Sequence, residues 1–318
     1  MLQKLKKRLQ NALGVSALSE KVDKLSIEAR IAAGFSRGAA GIAAQTIDPT
    51  SPQSWEFGAF SQHGEDGILD HLIRNLKVCD KYFLEIAAGD GLENCTAYLA
   101  LGAKWSGVMV EGDAALAEHC RRVYQNRIWN VMVRGGYVDL GNISEVLNMM
   151  PMKNFDLFSL DIDSIDFHIM KAVLELGYRP KIIVVEYNSA FGPTRAVTVP
   201  YQAVFNRWSE HPSGVYYGAS VMAWRRLLES VDYHFVSVDS SGTNAFFANC
   251  RYFDHQFLRS MTPTNFIENA SDVNPTTVET AIEGGGKRFS VPSWERQSQI
   301  LEGMDLDIVE VDLSKKIS

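Results

Sequence analysis

The sequence predicts a doubly wound α/β fold: a mostly parallel, seven-stranded sheet that ends in an antiparallel hairpin, with helices ahead of it. Three observations lead there. Short apolar runs alternate with helical patterns from Trp55 onward, as right-handed βαβ units require. Several runs, such as Ile182-Ile-Val-Val185, are apolar throughout, as strands covered on both faces should be. The last two runs are joined only by Asp239-Ser-Ser-Gly-Thr-Asn244, too short for a crossover helix, so they form a hairpin.

The chain divides into four expected parts. In residues 1–34, Leu2, Leu5, Leu9 and Leu13 recur at helical spacing, and so do Leu18, Val22, Leu25, Ala29 and Ala32, with Gly14 between the two sets. This reads as two short amphipathic helices or one broken one. They pack on the main domain, pair with a second copy as a homo-oligomer seam, or rest residues 1–14 on a membrane surface, since Lys4, Lys6, Lys7 and Arg8 surround the leucines. Residues 35–54, rich in Gly, Ala, Ser and Pro, read as a linker. The main domain spans 55–259, and the polar stretch after 260 reads as a C-terminal lid. On this division, removal of residues 1–34 leaves the main domain's ligand affinity intact.

Within the main domain the strands are expected at Tyr82–Ile86, Gly107–Glu111, Val131–Arg134, Leu157–Ile162, Lys181–Glu186, Phe235–Val238 and Ala245–Ala248. Helices are expected at Gly67–Leu76, Asp113–Asn126, Ile143–Met150, Ser164–Leu176 and Ser220–Ser230.

Composition excludes some classes. A net charge of -7 gives no basic field for nucleic acid. No stretch approaches the roughly 20 apolar residues of a membrane span, and no signal-peptide core follows the basic N-terminus. Cys79, Cys95, Cys120 and Cys250 lack zinc or disulfide spacing and suit a reducing cytoplasm. Gly284-Gly-Gly-Lys287 lacks the flanking residues of a phosphate loop, and Ser241 lacks a nucleophile elbow.

The strongest local signal is Phe83-Leu-Glu-Ile-Ala-Ala-Gly-Asp-Gly91, where an apolar strand carrying Glu85 runs into a Gly-x-Gly turn. Glycine there lets the backbone approach a bound nucleoside. Asn94 stands where a nicotinamide-binding turn wants its third glycine. Glu111, 26 residues after Glu85, ends the second strand and can accept hydrogen bonds from both ribose hydroxyls, or cap the next helix. Asp139 reads equally as an adenine contact or a turn aspartate. Asp161, Asp163, Glu186 and Asn188 reach the carboxyl edge of the central strands, where open sheets bind ligands. Asp161, Asp163 and Asn188 form a candidate Mg²⁺ set; without metal, Asp161 and Glu186 bind acceptor hydroxyls or act as base together with His63 or His168.

These residues resemble the class I S-adenosylmethionine-dependent methyltransferases, and their wording is similar to the FkbM-like branch. Phe60-Ser-Gln-His-Gly-Glu-Asp-Gly-Ile-Leu69 resembles that family's lead-in segment, and Leu160-Asp-Ile-Asp163 and Val184-Val-Glu-Tyr-Asn188 resemble its fourth and fifth strand ends. The resemblance covers residues 55–250. It implies S-adenosylmethionine as cofactor and O-methylation of a small-molecule or glycan acceptor. It assigns Glu85, Gly89 and Gly91 to the methionine end and Glu111 to the ribose, with Gln62 and Glu65 closing the pocket from the lead-in. The alternative for Gln62–Asp66 is a helix cap. Two departures stand out: Ala87 replaces a common glycine of the cofactor turn, and Ser164-Ile165 replaces a frequent Gly-Asn. Two other readings compete, a nicotinamide-dependent oxidoreductase and a non-catalytic scaffold of the same fold.

Overall fold

The structure is a computed structural model that describes residues 14–125, 130–211, 214–269 and 307–312, with residues 3, 4, 6, 294, 298 and 301. Most of the first expected helix, most of the expected lid and Gly284–Lys287 lie outside the described residues.

The strands are β1 (Tyr82–Ile86), β2 (Ser106–Glu111), β3 (Val131–Gly135), β4 (Leu157–Leu160), β5 (Ile182–Glu186), β6 (Val197–Thr198), β7 (Tyr233–Val238), β8 (Asn244–Asn249) and β9 (Val309–Glu310). The helices are α1 (Val15–Ala44), α2 (Glu65–Arg74), α3 (Ala97–Leu101), α4 (Ala114–Tyr124), α5 (Ile143–Leu147), α6 (Asp166–Glu175), α7 (Arg207–Glu210), α8 (Val221–Glu229) and α9 (His255–Ser260). Seven strands form one sheet in the order β3-β2-β1-β4-β5-β8-β7. β1 to β5 run parallel. β8 runs antiparallel to both β5 and β7. This is the strand plan of the class I methyltransferase fold, as the alternating pattern and the short hairpin predict. β6 and β9 form a small separate sheet, which two-residue strands leave invisible in sequence.

The sheet separates two cores because strand side chains alternate. Leu84, Ile86, Ile183 and Val185 join one core with α5, α6 and α8 residues such as Val146, Val173 and Leu227. Phe83, Ile182 and Val184 join the other with Ile27 and Ile31 of α1, Leu69 of α2 and Cys120 of α4. The N-terminal edge of the sheet is closed by an ion cluster: the fully buried Lys181 donates to Asp156 at 2.7 Å and to the Val78 carbonyl at 2.9 Å.

The first half of the expected linker, residues 35–44, is helical, and only residues 45–54 leave the helix. α1 is one 30-residue helix that begins after Gly14, in a left-handed conformation, and continues through residues 35–44. Gly34, Gly38 and Gly41 make this region look like a linker, yet they are packing glycines. A Cβ would stand 2.6 Å from the Phe60 ring at Gly34, 2.8 Å from Ala59 Cβ at Gly38 and 2.8 Å from Phe57 Cβ at Gly41. Each helical glycine costs about 0.5–1 kcal/mol in chain entropy, and the close contact with the lead-in segment offsets it. The helix therefore runs across the boundary drawn at residue 34. Leu18, Val22 and Leu25 stay exposed on it. Among the described residues no helix is long and apolar enough to cross a membrane.

Candidate functional site

A cleft of about 570 Å³ opens at the carboxyl ends of β1, β2 and β4, bordered by Ala87, Glu111, Tyr137, Asp161, Asp163 and Arg207. Its first wall is the turn after β1. Ala87, Gly89 and Gly91 all have positive φ, of 70°, 57° and 83°. For Ala87 that is a strained backbone, the kind held at ligand-binding turns. A Cβ on Gly89 would have nothing within 4 Å, so this residue faces open space. A Cβ on Gly91 would meet Cys120 Sγ at 2.8 Å, so this glycine serves the packing of the turn on α4.

Glu111 is held at the border of the cleft by backbone amides. One carboxylate oxygen accepts from the Gly89 amide at 2.7 Å, the other from the Asp113 amide at 2.8 Å. Each oxygen keeps acceptor capacity toward the cleft. The helix-capping alternative falls to Asp113, whose side chain accepts from Ala115 and Leu116.

Other expected cofactor residues are placed elsewhere. Glu85 is buried away from the cleft and accepts from the Cys95 amide at 2.9 Å and from the Thr96 amide and hydroxyl. Burial pushes its carboxyl up to about 7, against the lowering effect of these bonds. It fixes the chain after the turn. Asp139 caps its own turn, accepting from Gly141 at 2.8 Å and Asn142 at 3.0 Å. Gln62 reaches Glu93 at the surface at 2.9 Å. Glu65 accepts from the His63 amide at 2.7 Å and from Asn244 of β8 at 2.9 Å, and burial raises its carboxyl to about 7. Gln62, His63 and Glu65 do not border the cleft. The lead-in segment is thus a tie between α2 and the hairpin, and Asp66 completes it by accepting from the Ala59, Phe60 and Ser61 amides. Asn94, the residue that breaks the nicotinamide fingerprint, caps α3 through the Ala97 amide at 2.8 Å.

At the far end, carboxylate oxygens of Asp161, Asp163 and Glu186 lie within 4.8 Å of one another. Burial, then the charges of Asp163 and Asp166, push Asp161 well above the usual carboxylate range, and it shares a hydrogen bond with Glu186. A hydrogen bond between two carboxyl groups requires a proton on one of them. Asp163, at the left-handed φ of 54°, pairs with Arg207. Asn188 leaves the expected metal set. Its amide donates to the Val215 and Tyr217 carbonyls at 2.7 and 3.0 Å, and its oxygen accepts from the Ala190 amide at 2.9 Å. His168 is occupied at the Val199 carbonyl, 2.8 Å away.

Three residues at the site carried no sequence signal. Arg207 comes from a segment remote from the acids, as does Tyr217, which the aromatic run Trp208, Tyr216, Tyr217 and Trp224 marks as core and cleft wall, and Tyr137 stands exposed over Gly112 at the rim. Arg30 of α1 pairs with Asp90, inside the Gly-x-Gly turn.

No model of a known protein family matches the chain, and no curated protein does. Among solved structures, the chain is similar to an O-methyltransferase from Bacillus cereus in complex with SAH at 18% identity, over 69% of this chain and 89% of that one, with a TM-score of 0.39. It is similar to a putative O-methyltransferase from Klebsiella pneumoniae at 17% identity, over 67% and 94%, with a TM-score of 0.36. It is also similar to the O-methyltransferase TomG from Streptomyces achromogenes in complex with SAM at 19% identity, over 57% and 76%, with a TM-score of 0.37. The fold assignment rests on this chain's own strand order.

Proposed function

We propose that the chain is an S-adenosylmethionine-dependent methyltransferase that O-methylates a small polar acceptor, a sugar or glycan precursor, in the manner of the FkbM-like branch. One observation carries the reading: a single cleft is bordered both by Glu111, held at the tip of β2 by the Gly89 amide, and by Asp161, whose raised carboxyl is hydrogen-bonded to Glu186 behind it. The residues present fit the cofactor, since Glu111 offers two oxygens to ribose hydroxyls and Gly89 leaves room for a ligand backbone approach.

When bound, S-adenosylmethionine supplies an electrophilic methyl group on a sulfonium. The chain's own work is then positioning and removal of one proton. Glu111 fixes the nucleoside end, and the strained Ala87 turn shapes the wall beside it. Asp161 and Glu186 receive the acceptor hydroxyl and take its proton, for which a carboxyl raised toward neutrality is suited. The four free thiols support a cytoplasmic setting. The exposed Leu18, Val22 and Leu25 of α1 support self-association over membrane contact, since they follow each other in steps of four and three as a coiled-coil seam does.

The test is transfer of a radiolabelled methyl group from S-adenosylmethionine to a panel of mono- and disaccharides. Alkali-stable labelled product supports O-methylation. Label on amines or thiols only, or none on any acceptor despite cofactor binding, contradicts it.

A further inference from the structure

Three carboxylates at one sheet edge, Asp161, Asp163 and Glu186, concentrate negative charge that calls for a counterion. The chain brings its own. The Arg207 guanidinium, at the start of α7, pairs with Asp163, and its charge also acts on Asp161. It lies over the Tyr217 ring at 4.6 Å from the centroid, and the Tyr217 hydroxyl donates to Glu186 at 3.3 Å. The Trp208 ring, 5.2 Å away, bounds it on another side. One largely buried cation therefore pairs with Asp163, acts on Asp161 through its charge and reaches Glu186 through the Tyr217 ring. A guanidinium is weakly hydrated and planar, which suits it to a permanent place between carboxylates and aromatic faces. Asn188, which would complete an oxygen ligand set, is turned away toward backbone groups.

We infer that Arg207 occupies the cation position of this cluster, so that the acceptor end of the cleft works without a divalent metal and Arg207 is a positioning residue for Asp161 and Glu186. A divalent ion in the same place would meet the guanidinium charge at close range. This inference concerns the cation at the acid cluster and rests on the methyltransferase reading only for the identity of the cleft's acceptor end.

The experiment is titration of the full chain with Mn²⁺, followed by electron paramagnetic resonance of the free ion, for the natural protein and for Arg207→Ala, Arg207→Gln and Arg207→Lys. The natural protein should show no saturable site up to about 1 mM, the range of weak oxygen-ligand sites. Arg207→Ala and Arg207→Gln should gain one, and Arg207→Lys should not, because it restores the charge. The natural-protein arm needs no variant to fold. A saturable stoichiometric site in the natural protein overturns the inference, and so does a folded Arg207→Ala or Arg207→Gln with no gain in Mn²⁺ binding. Neither result bears on cofactor binding, which is read separately by titration with S-adenosylmethionine.

Discussion

Glu111 at one end of the cleft and Asp163 at the other are both strand-end acids, but they are held by different means. Glu111 takes its bonds from backbone amides 22 and 2 residues away in sequence. Asp163 takes its partner from Arg207, 44 residues on, and Glu186 takes Tyr217 from 31 residues on. The Glu111 end, proposed for the cofactor, is thus one βαβ unit folding on itself. The Asp163 end, proposed for the acceptor, is an assembly of a strand edge with a later loop. A binding site made from local backbone varies little with what surrounds it, whereas one made from distant side chains is free to change its substrate while the sheet stays the same.

The two ends should separate on mutation. Asp161→Asn should lower methyl transfer to a responsive saccharide by roughly 10²–10⁴-fold, the usual worth of a general base, while S-adenosylmethionine affinity stays nearly constant. An equal loss in binding would erase the distinction between the ends. Glu111→Ala should do the opposite and weaken cofactor binding roughly 100-fold, from the loss of two charge-assisted hydrogen bonds. Circular dichroism would check that the turn still folds, because Gly89 and Asp113 also lose a partner.

Stability should report the buried acids outside the cleft. Glu65 and Glu85 are both raised to about 7, chiefly by burial. The folded state therefore keeps protons that the unfolded chain has released, so stability falls as pH rises through 7. The loss between pH 6.5 and 8 should be on the order of 1 kcal/mol per group. His71, His168 and His234 are lowered by burial and oppose this trend only at lower pH. Melting curves of Glu65→Gln should be flatter across this window than those of the natural protein. An unchanged slope would show that Glu65 ionises freely in the folded state.

The smallest effect belongs to Arg30→Ala. Its pair with Asp90 is half-exposed and worth about 0.2–1 kcal/mol. Cofactor affinity should fall roughly two- to fivefold, and the difference should vanish in high salt. No change at low salt would free α1 from any part in the cofactor turn.

The sheet was legible because buried parallel strands write their burial as unbroken apolar runs, and Ile182–Glu186 or Tyr82–Ile86 can be read within a residue. The Gly-x-Gly turn and Glu111 were legible for the same reason, since local backbone geometry leaves local marks. Glu85, Glu65 and Asp139 looked like ligand groups because an acid at a strand or helix end has two uses. Only the fold shows that Thr96, Asn244 and Gly141 already engage them. Gly34, Gly38 and Gly41 imitate a linker, since the surface that excludes their Cβ atoms comes from the Phe57–Phe60 segment. Arg207 could not be foreseen, because no spacing links α7 to the end of β4.

Calorimetric titration of the full chain with S-adenosylmethionine and, separately, with NAD(H) decides which cofactor the cleft takes. S-adenosylmethionine alone should bind in the micromolar range, and Glu111→Ala should weaken that binding roughly 100-fold. Binding of NAD(H) in its place, or of neither ligand, would contradict the methyltransferase reading.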